Sequence, residues 1–250
     1  MTTAFASHLY GWRKPRGKSH LVPNCADSAN TQSVDIAAAM MAHMGIAQFE
    51  NPAIPADPGP LMEKKVRDDL AYLLPSLDST RHWLIQCGKV VTEFAQYGHL
   101  RRVDELVRKN PELRVTIGRD YLIKPDVTIG LTDLEILGDL PFLHGAIACK
   151  WTIRSDRVQN IRHECNQMIR HRRGRQPHLV TVTAEPLPSR LAAIARGTGE
   201  VDAVYHIAYD ALDHAVQTVA NKEQRAAWHE AVQQRRLLPY EKLAETLVKW

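Results

Sequence analysis

Apolar residues recur along this chain with two periods, and the switch between them marks the expected elements. Leu61, Met62, Val66, Leu70, Leu73 and Leu74 return every three or four positions, the spacing of a helix with one buried side. Val158, Ile161, Cys165, Met168 and Ile169 repeat that pattern inside a helix expected over 156–172, which Gly174 and Pro177 close. Residues 178–184 form a near-continuous apolar run, as in a central buried strand. Further strands are expected at 143–151 and 201–208, and 121–129 alternates with Pro125 as a break or bulge.

Other helices are expected at 34–44 with Ser33 as N-cap, at 99–108 ending before Asn110-Pro111, at 189–196, and in two or three pieces after Asp210. Residues 81–96 are ambiguous, with strand-like patches at 84–87 and 90–91. Residues 1–32 read as a polar N-terminal arm and loop, with a basic group at 13–18. Residues 51–60 hold four prolines and read as a loop, and 131–140 as a connection. This order of elements predicts one α/β domain over 1–250, a central mixed β-sheet flanked by helices.

At 250 residues the chain is long enough for a substantial core. Its 44% hydrophobic and 24% charged residues are ordinary for a soluble globular protein. The net charge of +4 permits nucleic acid as a partner without demanding it. Its distribution says more. Between Lys150 and Arg175 lie eight Lys/Arg and only two acids, Asp156 and Glu164. That excess suits a phosphate backbone, or else a solvated basic helix face. Cys25, Cys87, Cys149 and Cys165 form no CxxC pair, which argues against a disulfide framework or zinc site and for the cytoplasm. No apolar run approaches a membrane span, so no membrane partner is expected. Gly197-Thr198-Gly199 lacks the strand-to-helix setting of a phosphate loop and reads as a turn.

The chain is organised around residues 146–157, an apolar strand that delivers Lys150 and then the polar run Arg154-Ser155-Asp156-Arg157. Phosphodiester hydrolysis needs carboxylates to hold a divalent ion and a cation near the developing negative charge. Asp126, Glu164 and Glu63 are candidate catalytic and metal-binding carboxylates, and Lys150 is the candidate cation. Oxygen ligands without thiolates suit Mg2+ rather than zinc. The alternatives are ordinary ones: a solvated Asp/Lys pair, and for Glu63 a helix-dipole contact in a first turn. In Arg154, Asp156 and Arg157 two arginines can take two guanines bidentately and the carboxylate can accept from cytosine amino groups. Doubled by a two-fold axis, that set reads CCGG. A salt-bridged helix start with Asp156 as N-cap is an equally open reading.

Cys149-Lys150-Trp151-Thr152-Ile153-Arg154-Ser155-Asp156-Arg157 resembles the CCGG-specific type II restriction endonucleases of the PD-(D/E)XK fold. Pro177-His178, residues 182–186, Pro188-Ser189-Arg190 and residues 197–200 carry the resemblance further, with weaker similarity at 110–113, 120–121, Pro125-Asp126 and around Asp27. It implies magnesium-dependent cleavage of both strands of a palindromic duplex DNA. By position Asp126 resembles the first metal-binding aspartate, Lys150 the active-site lysine, Glu164 a shifted acidic residue and Glu63 an N-terminal helix glutamate. Arg154, Asp156 and Arg157 match the CCGG readers. Asp27 and, loosely, Asp57 match outer-base contacts, although Ala29 stands where the pattern carries serine; GCCGGC is the full site expected. The family also implies a homo-oligomer, a dimer at least and a homotetramer by resemblance. Two other readings remain: a repair or junction nuclease of the same fold, and a sequence-specific DNA-binding protein without catalysis.

Overall fold

The computed structural model describes residues 3–15, 19–55, 57–118, 121–132, 140–196 and 199–249; the side chains of Ile117, Ser155 and Asp156 are outside that description. The first elements are a short antiparallel pair, β1 (Trp12–Arg13) and β2 (Val22–Pro23). Residues 1–32, read from the sequence as a polar arm, put Phe5, Leu9, Tyr10, Trp12 and Val22 into the core. Their spacing has no regular period, since the segment forms only a 3-10 turn at Ala6–His8 and two two-residue strands.

Helix α1 (Thr31–His43) starts before the expected Ser33 cap. Asn30 caps it instead, its side chain accepting from the Ser33 amide at 2.9 Å. The Ser33 hydroxyl accepts from the Asp27 amide at 2.9 Å, which fixes the turn ahead of the helix. Helix α2 (Gly59–Leu77) buries Met62, Val66, Leu70 and Leu74. Pro60 suits its first turn because the missing N–H has no helical partner there. The ambiguous stretch resolves into β3 (Trp83–Cys87) and 3-10 turns at Val91–Glu93 and Ala95–Tyr97. Helix α3 (Gly98–Lys109) stops at Asn110, as expected, but the Asn110 side chain then caps a further helix, α4 (Pro111–Ile117).

Strand β4 (Val127–Leu131) begins only after Pro125, which has no N–H to give the ladder, so the expected strand over 121–129 is shifted. The connection expected at 131–140 falls mostly on residues 133–139, outside those described. Then follow β5 (Phe142–Lys150), α5 (Ser155–His171), β6 (His178–Thr183), α6 (Pro188–Ala195), β7 (Ala203–His206), α7 (Tyr209–Val219), α8 (Lys222–Gln233), β8 (Leu237–Pro239) and α9 (Leu243–Lys249). The Gly197-Thr198 part of the expected turn is outside the described residues.

Strands β3 to β8 form one six-stranded sheet in sequence order. Neighbours from β3 to β5 are antiparallel, and those from β5 to β8 are parallel. The fold class is therefore the one expected, α/β with a mixed sheet flanked by helices. Strand β6 is interior, and Leu179 and Val182 are fully buried; burying such a side chain contributes roughly 1.5–3 kcal/mol. Strand β8 has only three residues, too few for a period to show. The four cysteines are free thiols. Among the described residues no helix is long and apolar enough to cross a membrane.

One edge of the sheet gathers the chemistry. Strands β5 and β6 run parallel, with Lys150 beside Thr183, so both exit on the same side. Strand β4 runs the other way and enters there, with Val127 opposite Ile147. Asp126, the loop 151–154 and the loop 184–187 thus meet at that edge.

Candidate active site

A cleft of about 390 Å³ opens at this edge, lined in part by Asp57, Glu63, Lys150, Arg157 and Glu164. Lys150 ends β5 and Asp126 stands one step before β4. Side chains alternate along a strand, so Asp126 faces Ala148 and shares the side of the sheet that Lys150 takes. The Lys150 ammonium donates to Asp126 Oδ2 at 2.7 Å, and the Cys149 amide donates to the same oxygen at 2.7 Å.

Glu63 reaches the cleft from α2 and Glu164 from α5. Glu63 is in the second helical turn rather than the first, because Gly59-Pro60 starts the helix earlier than the apolar spacing suggests. Burial and the neighbouring Asp126 carboxylate hold the Glu63 carboxyl above its ordinary value, while Lys150 pulls it down. Glu164 is raised by burial, with Lys150 opposing and Asp126 adding. Arg157, Ile161 and Glu164 are three or four residues apart and share one side of α5. One helix face therefore presents an arginine and a carboxylate to the same cleft.

The donor set fits a hard divalent cation. It consists of three carboxylates, Asp126, Glu63 and Glu164, the last two raised by burial and further by the Asp126 charge, a repulsion that a cation would relieve. Among the described residues no three His, Cys, Asp or Glu side chains already converge as a closed ligand shell. Magnesium does not require one, since it is commonly bound through one or two carboxylates with water completing the octahedron.

Beside the cleft lies a groove of about 170 Å³ where Arg13, Arg154, Arg157 and Arg190 meet Asp27 and Asp57. Arg154 is the residue before α5, exposed, and contributes no side-chain cap to the helix. Arg157 donates to the Thr152 carbonyl at 2.8 Å, which folds it back over the loop. Asp156 is in the first turn of α5 and is not the N-cap that one reading of the sequence expects, because the helix starts at Ser155 with Arg154 in the cap position; the Asp156 side chain is outside those described. Asp27 accepts from Arg190 at 2.6 Å, and its carboxyl is held below the ordinary value chiefly by that bond. Asp57 borders both cleft and groove.

The structure thus brings together Asp126, Lys150, Glu63 and Glu164, and separately Arg154, Arg157, Asp27 and Asp57. Sequence reasoning gave Arg13, Arg190 and Glu185 no role, although Arg190 and Glu185 lie in the stretches 188–190 and 182–186 that carry the family resemblance. Arg13 looked like part of a loose basic arm, yet β1 aligns it with the groove. Glu185 is fully buried between the two exit loops. The available signal for it was a lone carboxylate among the apolar and proline residues of 184–188.

Comparison with known proteins follows the same lines. A family model described as NgoMIV restriction enzyme matches residues 13–139 and 135–244. The type II restriction enzyme NgoMIV of Neisseria gonorrhoeae is 41% identical over 152 aligned residues, covering 52% of this chain and 53% of that relative. The match therefore spans about half the length of that relative. Two solved structures are also similar: the Type IIF restriction endonuclease Bse634I with cognate DNA, and a pre-specific BsaWI–DNA complex. The first is 13% identical with a TM-score of 0.38, covering 98% of both chains. The second is 14% identical with a TM-score of 0.31, covering 82% of this chain and 76% of that one. The family match runs through the cleft, the groove and the sheet edge between them, and the chain belongs to the NgoMIV restriction enzyme family.

Proposed function

We propose that this chain is a Mg2+-dependent type II site-specific deoxyribonuclease that cuts both strands of a palindromic site with a CCGG core, within GCCGGC. The observation that carries the reading is the adjacency of the two clusters: the carboxylate and lysine cleft and the arginine-lined groove share Arg157 and Asp57. A duplex laid across that edge would offer a phosphate to one and base edges to the other.

Asp126, Glu63 and Glu164 would hold the ion. Bound magnesium supplies phosphate polarisation and a hydroxide near neutral pH. Lys150 stabilises negative charge on the attacked phosphate and, by its bond to Asp126, holds that carboxylate beside the cleft. Arg154 and Arg157 take guanine O6 and N7, and Asp156 accepts from cytosine amino groups. Asp27 and Asp57 border the place where an outer base pair would lie. A palindrome read by one chain per half requires a dimer at least, family resemblance favours a homotetramer, and four cysteines without a CxxC pair favour the cytoplasm.

Digestion of a sequenced plasmid in magnesium, with sequencing of the ends, tests this. Uniform ends at CCGG support it, and their flanks give the outer pair. A smear favours a repair or junction nuclease. Tight site binding without cleavage in magnesium or manganese favours a non-catalytic binding protein, although carboxylates around Lys150 would repel phosphate unless a cation intervened.

A further inference from the structure

We infer that Glu185, buried behind the groove, is a positioning residue for site discrimination, holding three groove-lining segments in register. The inference rests on the endonuclease reading above. One Glu185 oxygen accepts from the Ile153 amide at 2.7 Å, and the other accepts from the Leu187 amide at 3.1 Å. Ile153 immediately precedes Arg154, and Leu187 immediately precedes the helix α6 that carries Arg190. Arg190 then stands 3.7 Å from Glu185 with one nitrogen and donates to Asp27 at 2.6 Å with another. The β5 exit, the β6 exit and the turn before α1 are therefore tied to a single carboxylate.

The loop between Lys150 and Arg154 has few other ways to be placed. Trp151 and Ile153 are buried, and the Trp151 indole donates to the Asn24 carbonyl at 3.2 Å. These contacts fix its depth. The Glu185 bond fixes the backbone beside Arg154. A buried carboxylate is a poor choice for stability, since an apolar side chain of similar size avoids its desolvation. What it supplies is geometry, because both oxygens accept at once. A glutamine offers one acceptor and would turn its NH2 toward the other donor.

The charged and titratable groups around Glu185 are Arg190 on α6, Asp27 before α1, Tyr10 and Cys25 from the N-terminal segment, and His206 on β7. Burial pushes the Glu185 carboxyl up to about 7, against the Ile153 and Leu187 amides and Arg190. Its double-acceptor form is then complete only above neutrality.

The test is duplex binding in calcium, which holds cleavage off, comparing a CCGG duplex with one whose core G·C pairs are swapped. The ratio of the two dissociation constants is measured from about pH 6 to about 8.5 for the unaltered protein and Glu185→Gln. The ratio should rise with pH through about 7 in the unaltered protein, and fall about tenfold and lose its pH dependence in Glu185→Gln. A ratio isolates base reading from the carboxylates of the cleft, which act on both duplexes alike. Unaltered protein that discriminates, matched at every pH by Glu185→Gln, overturns the inference alone. Unaltered protein that discriminates at no pH overturns the specificity reading and the inference with it. If Glu185→Gln does not fold, Glu185→Asp, which keeps the charge but shortens the reach to the Ile153 and Leu187 amides, decides by the same ratio, a fall supporting the role and an unchanged ratio overturning it.

Discussion

The Lys150 ammonium lies 2.7 Å from Asp126 Oδ2 across two neighbouring antiparallel strands. The contact depends on register. A slip of one residue in β5 would turn Lys150 to the opposite face and bring Cys149 in its place. The same Asp126 oxygen takes the Cys149 amide, so backbone and side chain of consecutive residues aim one carboxylate. Lys150 keeps about a quarter of its side chain exposed.

Lys150→Ala should keep site-specific binding and lose cleavage by about 10²–10³-fold, the usual cost of removing one group that stabilises transition-state charge. Single-turnover cleavage and binding in calcium, measured on the same preparation, separate the two. Cleavage at the native rate would remove Lys150 from the chemistry.

Magnesium should stabilise the folded protein, because Glu63 and Glu164 are raised by burial and by Asp126. At an excess of about 100 times the dissociation constant the gain is about 2.7 kcal/mol, visible as a higher Tm. Glu164→Gln should raise the Tm of the metal-free protein, by removing a repelled carboxylate, and shrink the magnesium-induced increment. Melts in magnesium and in a chelator test both signs. An undiminished increment in Glu164→Gln means that the ion sits elsewhere.

Arg157→Ala should relax discrimination at one core position by about 1–3 kcal/mol, the worth of one bidentate guanine contact. Arg157 is exposed, and its bond to the Thr152 carbonyl lies at the surface, so the fold should survive the loss of that contact. Competition binding against a panel of single-base variants is the measurement. A uniform loss across the panel would make Arg157 a phosphate contact instead.

Much of this site was legible because its signals are local. The apolar run before Lys150 and the polar run after it marked a strand feeding a helix. Strand β8 escaped because three residues show no period, and α4 because Asn110-Pro111 ends one helix while starting another. Arg190 and Glu185 lay in stretches that carry the resemblance, but their roles escaped for a different reason. Their partners, Asp27 and Ile153, are 163 and 32 residues away, and no local pattern reports such distances. Phe5, Leu9 and Tyr10 are likewise core residues only through packing on distant elements.

Glu185 should also leave a mark on stability. Its folded carboxyl is raised to about 7 from an ordinary 4.5, so the folded state holds the proton more tightly than the unfolded chain. That contribution is fully present below about pH 4.5 and is lost as pH rises through about 7, on the order of 3 kcal/mol in all. Glu185→Gln cannot ionise, so it should lack this slope. Relative to the variant, the unaltered protein should weaken between about pH 5 and pH 8, and at the upper end the variant should be the more stable of the two. Urea unfolding at both pH values measures the difference. Parallel pH dependence in the two proteins would mean that Glu185 ionises as an ordinary carboxylate. A variant that is more stable above neutrality yet poorer at telling sites apart would show a carboxylate retained for reading DNA at a cost in folding energy.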